Sequence, residues 1–378
     1  MSAILHANEM LKRKFCKYLE EVKGFSRASI ESYEGAIWLW QNFTENKSFF
    51  LFKADDVTRF KDWVKSKKKT NQQQVSLSYC YDILRYLRVF FGWVADQKGG
   101  RLRIKRTDIE YLRLTKKENQ IVLNPKSISC PSMEEVREVI EGIDSNTEVG
   151  MRDKAFLSLA LLTGARIKAL STLTVQCFDE KNFSLYQDPK LGVETKFSKR
   201  IVSVLLPLSY TEPLDYFIKW VRYLKEQKNF EPGDPLFPAT KTMPEGGNLI
   251  GYHSDGDVSN RKWNTTGPAR KIFETRFNDA GIRYYNPHSF RHLLVQEIMK
   301  MPLTEEEKKA VSQNFGHEHV GTTFGSYGYG AVSEERQSEL LKGLNKEKSN
   351  TDPVSSLTEK DLANLKGLLI LIEKAKQS

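Results

Sequence analysis

Asn286-Pro287-His288-Ser289-Phe290-Arg291-His292-Leu293-Leu294 sets a histidine and an arginine three positions apart at the head of an apolar run, which predicts a helix over 289–300. By itself a His-x-x-Arg pattern says little, since it recurs by chance in many proteins. Its weight comes from what flanks it. Upstream, Thr163-Gly164-Ala165-Arg166 places an arginine just past a helix break, and Lys196, Lys199 and Arg200 cluster in a turn between predicted strands. Downstream, Gly316-His317-Glu318-His319 is followed by Tyr327 and Tyr329. Each box alone has a plain reading: an arginine after a glycine is usually a helix cap, and a tyrosine near glycines is ordinary turn chemistry.

Around these boxes the pattern predicts a mainly α protein with a small antiparallel β-sheet. Residues 8–98 read as four helices, over about 8–23, 27–46, 54–66 and 75–96. Ile30, Tyr33, Ile37 and Trp40 recur at three- and four-residue steps in the second, and Leu84, Leu87, Phe91 and Val94 share one face of the fourth. Trp38, Trp40, Phe90, Phe91 and Trp93 read as the core of this unit. Gly99-Gly100 breaks the fourth helix, and the polar, basic stretch 101–126 reads as a linker. Ser132 with Glu135 fits a capping box opening a helix to about 142. A longer apolar helix at 150–163 ends at Gly164. Between 183 and 208 the period shortens to that of two or three short strands. Helices resume at 211–228, 265–280, 289–300, 304–314 and 333–343, with a long loop over 230–263. Residues 345–356 have linker composition, and Thr358 with Asp361 caps a helix carrying Leu362, Leu365, Leu369 and Ile372 along one face. The expected domains are thus 1–100, a linker over 101–126, 127–344, and a linker-plus-helix tail over 345–378. That final helix folds back or serves protomer contact.

Composition narrows the function. With 378 residues, 39% hydrophobic and 28% charged, the chain is globular and long enough for two or three domains at roughly 100–200 residues each. No uninterrupted apolar run reaches the ~18 residues of a membrane span. The N-terminus lacks the build of a secretion signal, so a cytoplasmic protein is expected. The four cysteines, with no Cys-x-x-Cys pair, suggest buried apolar side chains and neither disulfides nor zinc. Lysine and arginine total 58 against 48 acids; residues 1–120 hold 24 basic and 14 acidic residues, so the whole net charge of +10 lies in the first third. A basic first third on a neutral remainder fits a polyanion partner, most simply nucleic acid. Lys65, Lys67, Lys68 and Lys69 there, with Lys199 and Arg200, are candidates for DNA contact.

Taken in order, Arg166, a lysine-bearing hairpin, His288-x-x-Arg291, Gly316-His317 and a tyrosine ten residues on resemble the tyrosine recombinase (phage integrase) family. RDKAFLSLALLTGARI is similar to the helix bearing the family's first arginine, NPHSFRHLL to its His-x-x-Arg box, and FGHEHVGTTFGSYGYG to its Gly-His segment with the trailing nucleophile. SRASIESY and YLRVFFGWV are similar to its core-binding domain. The resemblance runs over about 8–343. It implies a helical, SAM-like core-binding domain before an integrase-type catalytic domain. It further implies cleavage and rejoining of duplex DNA through a 3′-phosphotyrosine, four protomers on two sites, and no cofactor, metal or ATP. Tyr327 fits the spacing of the nucleophile better than Tyr329. By resemblance His288 is the general base, His317 a donor to the phosphate and Lys196 the general acid, with Lys199 the nearby competitor.

The residue types suit that chemistry independently. Attack by an oxygen nucleophile on a phosphodiester builds a doubly negative pentacoordinate arrangement, which calls for fixed positive donors at the non-bridging oxygens. Guanidinium groups bond two oxygens at once and stay charged, which selects Arg166 and Arg291. A tyrosine, with a pKa of about 10, is scarcely ionised at neutral pH. Nearby arginines favour its phenolate, and a histidine can take its proton.

One position departs from the family: three residues after Arg166, where an acid is usual, stands Ala169. Asp153 and Glu318 are the candidate substitutes. The loss keeps open a second reading, a DNA-binding protein of the same fold without cleavage; a type IB topoisomerase-like relaxer of DNA is a third. Metal-dependent nuclease chemistry is disfavoured, since no carboxylate cluster accompanies the boxes. The expected role is integration or excision of a mobile element, with accessory directionality proteins as possible partners and no membrane contact. Little ahead of residue 8 suggests an arm-type module, so no second DNA-binding domain is expected.

Overall fold

The aromatic spacing of the first hundred residues closes a helical core. The computed structural model describes residues 3–68, 72–100, 103–123, 129–244, 252–253, 256–326, 338 and 341. Two compact units divide the chain, Met1–Asn124 and Pro125–Ser378.

In the first unit lie α1 (Ala3–Glu21), α2 (Arg27–Phe43), α3 (Ala54–Ser66) and α4 (Leu77–Ala95), close to the four predicted runs. The Ser76 hydroxyl accepts the Tyr79 N–H at 3.2 Å and so caps α4. Trp40 meets Phe60 and Phe91 with ring centroids 5.0 and 5.2 Å apart, while Phe15 meets Phe90 at 5.1 Å. Trp38 departs from expectation, being 58% exposed. Two residues along a helix is about 200° of rotation, so Trp38 points away from the face that buries Ile37 and Trp40.

The stretch read as a linker also differs. Two short helices, α5 (Arg106–Ile109) and α6 (Lys116–Leu123), occupy much of it, and Ile104, Ile109, Leu112 and Leu114 are buried in the first unit's core. Their irregular spacing, carried on turns, leaves no periodic trace in the sequence. Basic composition marked the surface of this stretch and hid its four anchors.

The second unit opens with α7 (Met133–Glu141), where Ser132 and Glu135 form the predicted capping box. Next comes α8 (Glu148–Thr163), buried nearly all round and therefore the central helix of this core. A short α9 (Ile167–Leu170) precedes β1 (Phe178–Asp179), β2 (Ser184–Gln187) and β3 (Ile201–Val204). These strands form one antiparallel sheet in the order β1-β2-β3, with Leu185 opposite Ser203 and Tyr186 opposite Val202. Then follow α10 (Glu212–Glu226), the strand pair β4 (Met243–Pro244) and β5 (Tyr252–His253) inside the expected loop, and α11 (Gly267–Asp279). The last elements are α12 (His288–Met299), α13 (Glu305–Asn314) and α14 (Val320–Ser326). Cys80 and Cys177 are buried as expected, whereas Cys16 and Cys130 are half-buried. The helix expected at 333–343 and the tail over 345–378 lie outside the described residues, apart from 338 and 341.

Polar contacts join α13 to the sheet. The Asn314 side chain at the end of α13 accepts the Val204 N–H at 2.6 Å and donates to the Val204 carbonyl at 3.0 Å, clamping α13 to β3. The Ser203 hydroxyl adds a 2.7 Å bond to the Asn314 carbonyl. The chain leaving α13 is thereby fixed against the sheet.

Candidate active site

Three separated turns meet around Phe315. Gly164 ends α8 with φ at 56°, and a Cβ there would lie 2.4 Å from the Phe315 ring. Only glycine accommodates both the left-handed turn and that approach, and Arg166 follows it at the head of α9. Arg291, in the first turn of α12, is only 2% exposed. Its Nη2 donates to the Phe315 carbonyl, and its guanidinium carbon lies 5.1 Å from the Phe315 ring centroid. The start of α12 is set by Asn286, whose side chain accepts the His288 N–H at 2.9 Å.

Gly316, with φ at 71°, then turns the chain from α13 into His317. A Cβ at Gly316 would sit 2.4 Å from Ile201 Cδ1. Gly316→Ala is therefore expected to lose roughly 2–4 kcal/mol, from the left-handed backbone and the overpacking together. Urea denaturation checks this, and adding Ile201→Val, which removes Cδ1 but leaves Cγ1 at 2.9 Å, should recover part of the packing share and none of the backbone share.

His317 is 5% exposed, and its Nδ1 lies 2.8 Å from the Thr323 hydroxyl on α14. Burial, with the positive charges of Arg291, Arg166 and Lys199 and the neighbouring His288, pushes its pKa down to about 3. His288 is pushed down to about 4, by desolvation first and then by Arg291, His292 and Arg166. The His288 and His292 rings meet edge to face, 5.5 Å apart. Arg166, His288, Arg291, His317 and Lys199 thus share one electrostatic neighbourhood, and both histidines are neutral near pH 7.

This has a stability consequence. Both folded pKa values lie below the unfolded histidine value of about 6.5, so the unfolded chain takes up protons first as pH falls. The stabilisation is present above pH ~6.5 and is lost as pH falls, down toward pH 4 for His288 and pH 3 for His317. From His317 alone a loss of roughly 2 kcal/mol is expected between pH 6.5 and 5. Urea titrations across this window should show it, and His317→Gln should flatten the slope.

The connection from β2 to β3 carries the lysines. Lys196 opens a short turn and is exposed, with Nζ 5.0 Å from the Phe197 ring centroid. Lys199 pairs with Glu318 at 3.3 Å and so ties the connection to the Gly-His segment. The charge of Lys199 acts on His317. Arg200 pairs with Asp188 at 3.0 Å.

Ala169 is buried on α9 with no acid in its place. Neither candidate substitute is idle. Asp153 is buried and bound by Arg152 and Arg276, each at 2.7 Å, in a network that joins α8 to α11. Glu318 holds Lys199. In the first unit, Lys65 pairs with Glu118 at 2.5 Å, and this bond holds the Glu118 carboxyl down at about 2. Lys67 covers the Trp63 ring at 3.8 Å, and Lys68 bridges to Gln74. Lys69, Tyr327 and Tyr329 lie outside the described residues; α14 ends at Ser326.

Sequence reasoning missed Phe315, Thr323 and Asn314. Phe315 supplies the carbonyl and ring that seat Arg291, Thr323 orients His317, and Asn314 anchors the segment. Thr323 stands six residues after His317, in a Gly-rich stretch where no helix was predicted. Among the described residues no helix is long and apolar enough to cross a membrane.

Residues 132–332, more than half of the 378-residue chain, match the Phage integrase family. The fold is similar to that of the XerH site-specific recombinase bound to a palindromic difH substrate in a post-cleavage complex, at 16% identity and a TM-score of 0.55 over 89% of this chain and 84% of that one. It is similar also to a lambda integrase dimer bound to a COC′ core site, at 13% identity and a TM-score of 0.55 over 86% and 96%. The Tn1549 transposon integrase in complex with circular intermediate DNA gives 14% identity and a TM-score of 0.52 over 88% and 98%. No curated protein sequence matches the chain.

Proposed function

The chain belongs to the phage integrase family, and on that premise we propose that it is a site-specific tyrosine recombinase that cleaves and rejoins duplex DNA. The observation that carries this reading is the convergence of Arg166, Arg291, His288 and Lys199 on the buried His317. A cluster of cationic donors with neutral imidazoles among them suits a phosphodiester whose charge grows during attack. XerH is bound to a palindromic difH substrate, lambda integrase to a COC′ core site and the Tn1549 integrase to circular intermediate DNA, which supports DNA as the partner here.

In this reading Arg166 and Arg291 hold the non-bridging oxygens. The Tyr327 oxygen attacks phosphorus and its proton passes to His288, which is neutral and so able to accept it. The bond from phosphorus to the 5′ oxygen breaks, and that oxygen takes a proton from a hairpin lysine. Lys196 is exposed, which favours it for this role, while Lys199 is already tied to Glu318. With the Thr323 hydroxyl donating to Nδ1, His317 keeps its proton on Nε2 for a phosphate oxygen. The phosphotyrosine conserves the bond energy, so rejoining by a 5′ hydroxyl of the partner strand is the reverse of the same steps. Four protomers on two sites would exchange both strand pairs, integrating or excising a mobile element.

The test is a suicide duplex, nicked so that the 5′ fragment diffuses away, carrying a candidate element end and incubated in EDTA. A denaturation-stable protein–DNA adduct is expected. Salt-dependent binding without an adduct on any candidate end would favour the second reading, a non-cleaving DNA-binding protein, for which Ala169 is the specific observation. Relaxation of supercoiled DNA lacking any specific site would favour topoisomerase-like action.

A further inference from the structure

The turn between β2 and β3 holds an aromatic ring out in solvent. Phe197 is 88% exposed, the most exposed large hydrophobic side chain among the described residues. Its backbone and that of Ser198 are both left-handed, with φ at 61° and 50°. Left-handed backbone costs a residue with a side chain about 1–2 kcal/mol, and glycine would avoid it. A polar residue would remove the apolar exposure. Phe197 makes neither concession, so two unfavourable features coincide at one position.

The surroundings select the occupant. Lys196 and Lys199 flank the turn and Arg200 follows it, with the Lys196 ammonium over the ring itself. Asp188 holds Arg200 at 3.0 Å, Glu194 holds Lys168 at 2.6 Å and Glu318 holds Lys199 at 3.3 Å, so the Lys196 ammonium over the ring stands outside these ion pairs. A ring set among cations suits a partner with phosphates at the edge and flat apolar faces behind them, and duplex DNA has both.

We propose that Phe197 is a DNA-contacting residue that wedges against stacked bases beside the phosphate held by the arginines. This rests on the reading of duplex DNA as substrate. Wedging opens a base step, and it withdraws the ring from the Lys196 ammonium, leaving that lysine to the backbone. The contact carries no sequence preference of its own, because every base presents a π-face.

The full-length wild type, Phe197→Ala and Phe197→Trp would be compared by fluorescence anisotropy on two short duplexes of arbitrary sequence. One is fully paired and the other has a central two-base mismatch, and each is titrated at several salt concentrations. A mismatch is already partly unstacked, so the wild type should prefer it, by about tenfold from the typical strength of base–aromatic stacking. Phe197→Ala should bind both duplexes alike with an unchanged salt slope, and Phe197→Trp should keep the preference. Equal mismatch preference in wild type and Phe197→Ala would overturn the proposal. So would weakened self-association of Phe197→Ala in sedimentation without DNA, if its mismatch preference were intact, since the ring would then serve a second copy. A wild type with no salt-dependent binding to either duplex would overturn the DNA reading itself, an outcome distinct from both.

Discussion

Tyr327→Phe is expected to give no covalent adduct on the suicide duplex, a loss of at least about a thousandfold, while Tyr329→Phe retains it. In the proposed mechanism the phenolic oxygen is the atom that bonds to phosphorus, and no positioning by the remaining groups can replace a nucleophile. The choice between the two tyrosines has a structural side. The Thr323 hydroxyl, in the middle of α14, meets His317 Nδ1 at 2.8 Å, and α14 ends at Ser326, immediately before Tyr327. The helix that precedes Tyr327 is therefore fastened to the imidazole in the cluster of arginines. Both variants should bind duplex DNA as the wild type does, because phosphate contacts from lysine and arginine supply most of the affinity. An adduct lost in Tyr329→Phe and kept in Tyr327→Phe would move the nucleophile by two positions. An adduct kept in both would end the tyrosine mechanism.

What could be read in the chain, and what could not, divides by the range of the interaction. Local signals were legible: the Ser132–Glu135 capping box, the stop at Gly164, the four aromatic-rich helices and the two main strands all depend on neighbours within a few residues. The boxes holding Arg166, His288, Arg291 and His317 were legible because each has its own local signature. Their convergence was not, since it depends on Phe315 packing beneath Gly164 and offering its carbonyl to Arg291 from 24 residues away. For the same reason Ile104 and Leu112 passed as linker, and Trp38 passed as core because tryptophan identity outweighed its position on the helix. Even the two glycines carry a message that appears only in three dimensions. Gly164 and Gly316 read as turn residues, yet each also leaves room for a side chain from elsewhere in the second unit, Phe315 and Ile201 respectively.

Arg291→Ala is expected to slow single-turnover cleavage by two to three orders of magnitude or more, the usual cost of removing one fixed donor to a developing oxyanion. Arg291→Lys keeps the charge and loses the planar fork, so it should fall between the wild type and the alanine variant. A side chain only 2% exposed cannot be cut back without leaving a void beside Phe315, so a drop in rate alone would not separate chemistry from packing. The histidines separate them. Arg291 is among the causes that hold both His288 and His317 below the ordinary imidazole range. Removing its charge should raise both pKa values toward 6.5 in an otherwise folded protein, whereas Arg291→Lys should leave them low. NMR titration of the imidazole protons reads this directly, with urea denaturation run alongside to confirm the fold. Raised histidine pKa values together with lost cleavage would assign Arg291 to the electrostatics of the phosphate site. Cleavage within tenfold of wild type would remove it from the reacting centre, whatever the titration showed.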